Sequence, residues 1–561
     1  MRLIRQHRIG LRELTYSLIV FMTILLSSTA YNCSILFDRQ YFPKWCCFSL
    51  GVSLLLIFLS SIRIKEATYS SNISTWEAVC IGYVILIYML SNIPIYNFHD
   101  FVRFFSIVGL YLFFRLYSNN IVVDSAVKNA FICAGLYTLT IGIGQFIKSG
   151  TNIIGSNNSV TGFSFLIVLM TIIIFQKLSC WKGHMKPIIL CIIVLTALLI
   201  LTWASSRTGC IAICIAAIII LEKKIIAIVM IGGIIIILLF PLYKIDSTKG
   251  RAFIYQTSIS MFDTPRTILW GRGRDAFRKE YMLYQARALK NKPGNMKQLA
   301  DNIKHPLNEF ILAVIDYGTI RLIPILAITL TIIYIARHNC LHLSILSTVL
   351  VFSFFSYPLK YPATWIALLW SIACLNKTNK ISNTTFMLPL TTLILGFIIF
   401  ASTYDQIKTH NAWERAYSTF CLGNTNEAMK QYNTLHNKLF NQPEFLYNYS
   451  SILLIMGNEK DALNIVQKCS VVDYDTELLR GDIYTQKKDY KNALQHYQLA
   501  ADMCPNRFIP LYAMFNIYEA QSDKQNRKII ANNILRKTIK VHSYEIEEIR
   551  EYVKQKMKNE K

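Results

Sequence analysis

Four arginines are the first residues of this chain whose type and placement suggest chemistry. Arg207 lies between two apolar runs, and Arg251, Arg272 and Arg274 lie in the next polar segment. A guanidinium group presents a planar fork of donors that matches phosphate oxygens, so these residues predict a site for a diphosphate or a lipid headgroup. The alternatives are an interfacial arginine that extends toward water, and simple attraction to anionic lipid.

A second candidate group lies just before the apolar run that follows. Asp301, His305 and Glu309 fall within one short segment. Imidazole exchanges a proton readily near neutral pH, so His305 is a candidate base toward a hydroxyl, and Asp301 or Glu309 would orient it or act as the base. Pro306 at the start of a helix and Glu309 in its first turn are also favourable at a helix N-terminus, so part of this pattern is expected on structural grounds alone.

The elements that hold these residues are predicted to be membrane-spanning helices. The chain has 561 residues, of which 53% are hydrophobic and 16% are charged, with a mean hydropathy of +0.37, whereas soluble domains carry about 25% charged residues. The net charge of +25 is dispersed between apolar runs, which argues against nucleic acid as a partner and for anionic lipid or a phosphate-bearing substrate. The 14 cysteines show no ligand spacing, so neither a disulfide framework nor a metal site is predicted.

Thirteen apolar runs approach the roughly 20 residues that a helix needs to cross a bilayer. They cover residues 14–36, 45–62, 76–95, 101–118, 126–148, 159–176, 187–204, 208–221, 224–242, 309–336, 341–357, 361–375 and 386–403. Runs 208–221 and 361–375 are short for a span. With the N-terminus in the cytoplasm, sixteen Lys and Arg residues flank the spans inside and six outside, as the positive-inside rule requires. An odd number of spans then places the 243–308 loop and the C-terminal domain on the outer face.

Beyond residue 405 the sequence turns polar and repeats a turn followed by a helix. Three segments share this pattern: Gly423-Asn424-Thr425-Asn426-Glu427-Ala428, Gly457-Asn458-Glu459-Lys460-Asp461-Ala462 and Lys488-Asp489-Tyr490-Lys491-Asn492-Ala493. Their alanines are 34 and then 31 residues apart. The first spacing is that of a tetratricopeptide repeat, of which about three units make a stable stack. The pattern predicts a solenoid that binds or positions a protein partner, with a generic helical hairpin domain as the alternative.

At these motifs the chain resembles the O-antigen ligase and polymerase superfamily, which includes bacterial protein O-oligosaccharyltransferases. The resemblance covers about residues 150–335 and is carried by Ser206-Arg207-Thr208-Gly209, Gly250-Arg251, Gly271-Arg272-Gly273-Arg274-Asp275-Ala276-Phe277, His305-Pro306-Leu307-Asn308-Glu309-Phe310 and Tyr317-Gly318-Thr319-Ile320. C-terminal tetratricopeptide repeats also resemble those of members of this superfamily.

The resemblance implies a C-type membrane glycosyltransferase fold. Such an enzyme transfers a whole glycan from undecaprenyl diphosphate on the periplasmic side of a bacterial inner membrane, without a nucleotide sugar, a cofactor or a metal ion. Arg207 and Arg251 would hold the diphosphate and stabilise it as a charged leaving group. The acceptor would be a lipid, another glycan or a protein hydroxyl.

The family pattern places a histidine directly before the asparagine, where it acts on the acceptor hydroxyl. In this chain Leu307 precedes Asn308, and His305 is the nearest histidine. The identity of the base therefore stays open between His305, Asp301 and Glu309.

These observations predict an all-α chain with two parts. Residues 1–404 would form a polytopic transmembrane helical bundle of 12–13 spans, and residues 405–561 a soluble tetratricopeptide-like α-solenoid in the periplasm. A polymerase that joins glycan repeat units is the alternative enzyme. A transporter, or a membrane scaffold that displays the repeats, is the non-enzymatic alternative, although the predicted spans mostly lack the ionisable residues that a transport path requires.

Overall fold

The computed structural model describes residues 11–29, 37–66, 70–71, 75–91, 98–117, 120–149, 153–179, 181, 185–220, 245–290, 292–375, 381–382 and 387–558. Across these ranges the chain is α-helical. The only paired extended segments among them are Ser70–Ser71 and Ile381–Ser382, which form a two-residue antiparallel ladder. The predicted all-α fold class is confirmed.

Within the described residues, eight helices precede the long polar segment of the chain. They are α1 (Leu11–Ser28), α2 (Phe42–Glu66), α3 (Thr75–Ser91), α4 (Phe98–Tyr117), α5 (Ile121–Ser149), α6 (Val160–Ser179), α7 (Lys186–Trp203) and α8 (Arg207–Ile220). The polar segment itself forms α9 (Ile245–Ile259), α10 (Pro265–Trp270), α11 (Ala276–Leu289) and α12 (Gly294–Leu299).

A second apolar group of helices follows, and then the polar C-terminal helices. The apolar group is α13 (Glu309–Ala336), α14 (Cys340–Phe355), α15 (Pro362–Leu375) and α16 (Met387–Cys421). The C-terminal helices are α17 (Thr425–Leu439), α18 (Pro443–Ile455), α19 (Glu459–Gln467), α20 (Tyr474–Gln486), α21 (Tyr490–Met503), α22 (Ile509–Ala520), α23 (Lys524–Arg536) and α24 (Tyr544–Lys558). Helix α16 continues without a break past residue 404, where the sequence predicted the domain boundary.

In the part of the chain that the structure describes, six helices are long and apolar enough to cross a membrane. They include Leu11–Ser28, Phe42–Ser60, Ile121–Lys148, Val160–Leu178, Glu309–Ala336 and Leu390–Cys421. Five further apolar helices are shorter, from 10 to 17 residues, and so fall below the roughly 20 residues that a span needs. Twelve of the thirteen predicted runs coincide with a helix, and the run at 224–242 lies outside the described residues.

The chain forms two compact units that alternate along the sequence. The first unit comprises Met1–Tyr243, Leu307–Phe310 and Ile323–Gln431, and the second comprises Lys244–Pro306, Ile311–Leu322 and Tyr432–Lys561. The second unit thus combines most of the predicted outer loop with the C-terminal helices.

The first unit has an apolar core and contains a buried ion pair. Phe48, Phe131 and Phe163 have no exposed surface in this core. The Nε of Arg115, in the last turn of α4, lies 3.0 Å from the carboxylate of Glu77 in the first turn of α3. Both side chains are almost fully buried, at 2% and 4% exposure. The count of cations on the inner side included Arg115 as a residue that faces water. In the structure Arg115 is buried against Glu77 instead.

The C-terminal helices follow one another through a repeated turn. A residue with positive φ precedes a helix at Gly423, Gly457, Lys488 and Ser522, at intervals of 34, 31 and 34 residues. In the last three turns, the residue that follows the positive φ caps the helix. These residues are Asn458, Asp489 and Asp523, and the side chain of each accepts a hydrogen bond from the backbone N–H three residues later. This side-chain bond satisfies one of the free N–H groups at the start of each helix. The structure therefore contains a fourth turn that the sequence pattern had not predicted.

Candidate functional site

Arg207 is the first residue of helix α8. The hydroxyl of Ser206 accepts a hydrogen bond from the backbone N–H of Gly209 at 3.2 Å, and Ser205 adopts a positive φ of 56°. This turn fixes the direction in which α8 begins. Arg207 is half-buried there, where the dipole of the helix adds to the positive potential of its guanidinium group.

Gly209 explains why a small residue follows the arginine. A Cβ at this position would lie 2.8 Å from Leu201 Cδ2, 2.9 Å from Ser206 Oγ and 3.2 Å from Ser164 Cβ. The start of α8 therefore packs closely against α6 and α7. The motif Ser206-Arg207-Thr208-Gly209 is thus a capped and tightly packed helix start that holds one cation.

Arg251 lies on helix α9 in the second unit and is half-buried. Two residues later, Phe253 packs with Leu289 at the end of α11 and with Ala300 in a small apolar cluster. This cluster joins the segment of Arg251 to the segment that precedes Asp301. One turn beyond Arg251, burial raises the pKa of Tyr255, and the charge of Arg251 opposes that rise.

Arg272 donates hydrogen bonds to several groups of its own loop. Its Nε donates to the carbonyl oxygen of Met261 at 2.7 Å, its Nη1 donates to Glu280 at 2.7 Å, and its Nη2 donates to Asp263 and to the hydroxyl of Tyr284. The guanidinium carbon also lies 5.3 Å from the centre of the Tyr284 ring. These internal acceptors tie the loop together, so the arrangement does not favour the predicted role of Arg272 in diphosphate binding.

Arg274 lies beside a close crossing of two backbone segments. Gly271 and Gly318 both have positive φ, at 75° and 76°, and a Cβ on Gly271 would lie 2.6 Å from the carbonyl oxygen of Asp316. The amide of Arg272 donates to the carbonyl oxygen of Ile315 at 2.7 Å. Glycine at both positions therefore lets the loop pack directly on the backbone of α13. Arg274 follows this crossing and is half-buried.

Asp301 is held by the C-terminal helices of the second unit. Its carboxylate pairs with Arg507 at 3.0 Å and accepts a hydrogen bond from the Asn302 amide at 2.9 Å. Burial alone would raise the pKa of Asp301, but the Asn302 amide and Arg507 outweigh that effect and lower it. A carboxylate with a lowered pKa is a weak base, so Asp301 is better suited to hold the segment than to accept a proton.

Further contacts join the predicted outer loop to the C-terminal helices. The amide of Asn506 donates to the carbonyl oxygen of Ala300 at 2.7 Å, and Gln285 donates to that of Met503 at 2.8 Å. The side chain of Asn302 donates to Asp475 at 2.9 Å. The backbone amide of Val472 donates to the carbonyl oxygen of Lys279 at 3.1 Å. The segment that leads to His305 is therefore fixed by residues about 200 positions later in the chain.

His305 and Glu309 lie on either side of the helix start at α13. Leu307 has a positive φ of 58°, and the side chain of Asn308 accepts a hydrogen bond from the Phe310 amide at 2.9 Å. The helix begins at Glu309, so the prediction that Pro306 starts it is wrong: Asn308 caps the helix instead. Glu309 accepts a hydrogen bond from the Leu359 amide at 3.2 Å, and His305 is half-buried.

The two units divide the seven predicted site residues. Arg207 and Glu309 belong to the first unit, whereas the second unit contains Arg251, Arg272, Arg274, Asp301 and His305. No group of three or more His, Cys, Asp or Glu side chains that could hold a metal ion occurs in the described part of the chain.

Sequence reasoning missed the residues that hold the loop on the C-terminal helices. Arg278 pairs with Glu444, and Asn506 and Arg507 bind the backbone and carboxylate just before His305. Each is an ordinary polar residue in a polar stretch, so no local pattern distinguishes it. The buried pair of Glu77 and Arg115 did carry a signal, since two opposite charges inside apolar runs are costly unless they meet.

The chain was also compared with known proteins. No protein-family model matches it, and no curated protein matches it either.

Proposed function

We propose that this chain is a membrane glycosyltransferase of the O-antigen ligase type. It transfers an oligosaccharide from undecaprenyl diphosphate to a hydroxyl acceptor at the periplasmic face of a bacterial inner membrane. The observation that carries the proposal is a set of half-buried arginines on ordered helix positions in a chain of membrane-length helices. Arg207 occupies a capped helix start and Arg251 lies on a helix packed through Phe253.

The reaction needs two kinds of group. The acceptor oxygen forms a bond to the anomeric carbon, and the bond from that carbon to the diphosphate oxygen breaks. The diphosphate leaves with the electron pair, so cations at Arg207 and Arg251 stabilise the developing charge. Arg274 is a further cation of this proposal, and Arg272 is left out because internal acceptors hold its guanidinium group.

His305 is the best-suited base among the three candidates. Asp301 is paired with Arg507 and has a lowered pKa, and Glu309 accepts a backbone hydrogen bond at the start of α13. His305 lies three residues before the capping residue Asn308, and imidazole is a side chain that can accept a proton from a hydroxyl. The proton of the acceptor hydroxyl would pass to His305.

Arginine substitutions test the proposal in cells. We expect Arg207→Ala and Arg251→Ala each to abolish glycan transfer, scored by blotting surface glycans and glycoproteins in a strain that lacks the wild-type protein. Arg266→Ala is the matched control, because Arg266 is an exposed arginine of the same loop. Normal transfer by both variants, at wild-type protein level, would reject the proposal.

A polymerase of glycan repeat units would use the same residues. A deletion strain separates the two reactions, because single-repeat glycans indicate lost polymerisation, whereas long unattached chains indicate lost ligation. Mass spectrometry of the surface glycolipids and glycoproteins identifies the sugar and the acceptor in the same experiment.

A transporter or a membrane scaffold is the non-enzymatic alternative to this proposal. The buried ion pair of Glu77 and Arg115 joins the ends of two helices, whereas transport paths place ionisable groups near the membrane midplane. This placement favours a structural role for the pair. A scaffold predicts that Arg207 and His305 are dispensable while residues 411–561 are not.

The C-terminal helices are proposed to be tetratricopeptide-like repeats on the periplasmic side. The recurring turns at Gly423, Gly457, Lys488 and Ser522 support this assignment. Because some of these helices already hold the outer loop, we propose that they position that loop in addition to binding a protein partner.

A further inference from the structure

Helix α10 exposes a group of large apolar side chains beside a predicted span. Ile268, Leu269 and Trp270 are 41%, 43% and 51% exposed, and Ile320 on α13 is 39% exposed. We call these four residues the α10 patch. Adjacent large apolar side chains on a surface mark a site for a membrane or another protein.

The exposure of the α10 patch is built into the fold. Thr264 caps α10 in a reciprocal arrangement with Thr267. At the other end, the hydroxyl of Thr319 donates to the carbonyl oxygen of Ile268 at 3.1 Å, and Gly271 packs against the backbone of Asp316. Helix α10 is thus held at both ends, with its apolar side chains left on the outside.

Helix α13, which carries Ile320 of the patch, indicates what covers the patch. From Thr319 to the end of α13 there are roughly 18 residues, which rise about 27 Å and so match the thickness of the hydrocarbon core. Along this stretch Ile323, Leu326 and Leu330 are exposed, as lipid-facing side chains are. The kink at Gly318 would then lie near one edge of the hydrocarbon core, and α10 lies against that kink.

The cations near the patch are also suited to the edge of the hydrocarbon core. The guanidinium carbon of Arg321 lies 6.0 Å from the centre of the Trp270 ring, and Arg266 is exposed on the same short helix. Tryptophan prefers the boundary between headgroups and acyl chains, and arginine extends from it toward lipid phosphates. Exposed apolar side chains next to cations are the pattern of an interfacial helix.

We propose that the α10 patch inserts into the headgroup–acyl boundary of a phospholipid bilayer. This anchor would hold the backbone crossing at Gly271, and with it Arg274, at the depth of the lipid phosphates. The inference goes beyond the proposed transfer reaction and does not depend on it, because no residue of the patch takes part in the chemistry.

Tryptophan fluorescence tests the anchor in the full-length protein. Wild type and Trp270→Phe are reconstituted in nanodiscs of ordinary phospholipid or of phospholipid brominated near the headgroup end of the acyl chains. The emission missing in the variant belongs to Trp270. We expect the brominated lipid to quench this emission strongly and dissolved acrylamide to quench it weakly.

Two results would overturn the proposal. Quenching by acrylamide alone would mean that Trp270 faces water, and quenching by neither reagent would mean that protein covers it. A second pair of variants controls for altered folding: Leu269→Asp should weaken the bromolipid quenching of Trp270, whereas Ile455→Asp should leave it unchanged. Ile455 is an exposed apolar residue of the C-terminal helices, so equal effects of the two aspartates would also count against the anchor.

Discussion

Arg266 and Arg272 lie in the same loop, yet their guanidinium groups have opposite surroundings. Arg266 is exposed, whereas Arg272 donates to Met261, Asp263, Glu280 and Tyr284. We expect Arg272→Ala to destabilise the loop by about 2 kcal/mol, because charged hydrogen bonds are lost and their acceptors are left unpaired. Limited proteolysis of the purified protein should cut residues 245–290 faster in this variant.

Arg266→Ala is the control for that experiment and should leave the cleavage rate unchanged. Equal cleavage of both variants and wild type would show that Arg272 does not hold the loop together, and would return it to the group of candidate diphosphate ligands.

A second prediction distinguishes the proposed roles of Asp301 and His305. We expect Asp301→Asn to retain glycan transfer, because the lowered pKa of Asp301 makes it a poor base, while His305→Ala loses it. Transfer assays on membranes with equal protein amounts measure both. Loss of transfer in Asp301→Asn with a fully folded loop would contradict this assignment.

The pH dependence of stability follows from the same pKa. A carboxyl whose pKa is lower in the folded state contributes stability above its unfolded pKa near 4, and loses it as the pH falls through the folded value. The pair with Arg507 is partly exposed, so we expect wild type to exceed Asp301→Asn by at most about 1 kcal/mol at neutral pH. Thermal unfolding should show this difference shrinking as the pH falls below the unfolded pKa near 4 and through the lower folded value.

Residue types alone could identify the arginines and the histidine as candidates but could not rank them. Arg207, Arg251 and Arg272 look alike in the sequence because each is a cation beside apolar or glycine-containing segments. In the structure the turn of the loop brings four acceptors to Arg272. Such contacts depend on tertiary structure, which local patterns do not encode.

At the scale of elements, the crossing of Gly271 and Gly318 is the contact that joins the loop to helix α13. A Cβ on Gly318 would collide with the backbone of Leu269 and Gly271, and its φ of 76° disfavours any side chain. We expect Gly318→Ala and Gly271→Ala each to destabilise the protein by at least about 1–3 kcal/mol. Thermal unfolding in detergent measures the change.

Gly273 and Gly250 provide matched controls for this contact. Gly273 has a positive φ of 97° but open space around it, so Gly273→Ala should cost only the backbone strain. Gly250 lies in helix α9 with open space, so Gly250→Ala should be neutral or slightly stabilising. If Gly273→Ala were as damaging as Gly318→Ala, the close crossing would not be the cause.

The buried pair of Glu77 and Arg115 joins α3 to α4. Removing one partner leaves an uncompensated buried charge, so we expect Glu77→Leu to cost about 3–5 kcal/mol, whereas the double variant Glu77→Leu/Arg115→Leu should cost much less. A double-mutant cycle of unfolding midpoints in detergent measures this coupling. Additive losses would show that the two charges do not stabilise each other.

Element positions were predicted well wherever local patterns determine them. A helix occupies twelve of the thirteen apolar runs, because hydropathy over a span is a local property. The fourth turn at Ser522 was missed because Arg527 stands where the earlier turns have Ala428, Ala462 and Ala493. The positive φ and the Asp523 cap recur without that alanine, so the backbone repeats more faithfully than the sequence does.

For the whole molecule, the topology stays a prediction, and the structure corrects the cation count on which it rests. Arg115 and Lys44 are buried, so each leaves the set of water-facing cations on its side. Removing one residue from each side leaves fifteen inside and five outside, and the bias still favours a cytoplasmic N-terminus.

The contacts within the second unit predict the effect of removing the C-terminal helices. We expect a chain that ends after Cys421 to keep its apolar helices but to lose the ordered loop, since Glu444, Asp475, Asn506 and Arg507 bind that loop. Proteolysis should then cleave residues 245–290 rapidly, and glycan transfer should fall for every acceptor. An intact, protease-resistant loop in the truncated protein would contradict this prediction.

The ion pair between Asp301 and Arg507 joins residues that are 206 positions apart in the sequence. During translation it cannot form until the ribosome has made all the residues between them. At about 5–20 residues per second, the ribosome needs roughly 10–40 s after making Asp301 before Arg507 exists. During that time the arginine-bearing loop is already translated but lacks its support. Stalled or prematurely terminated chains that lack Arg507 therefore expose this loop without the contact that holds Asp301.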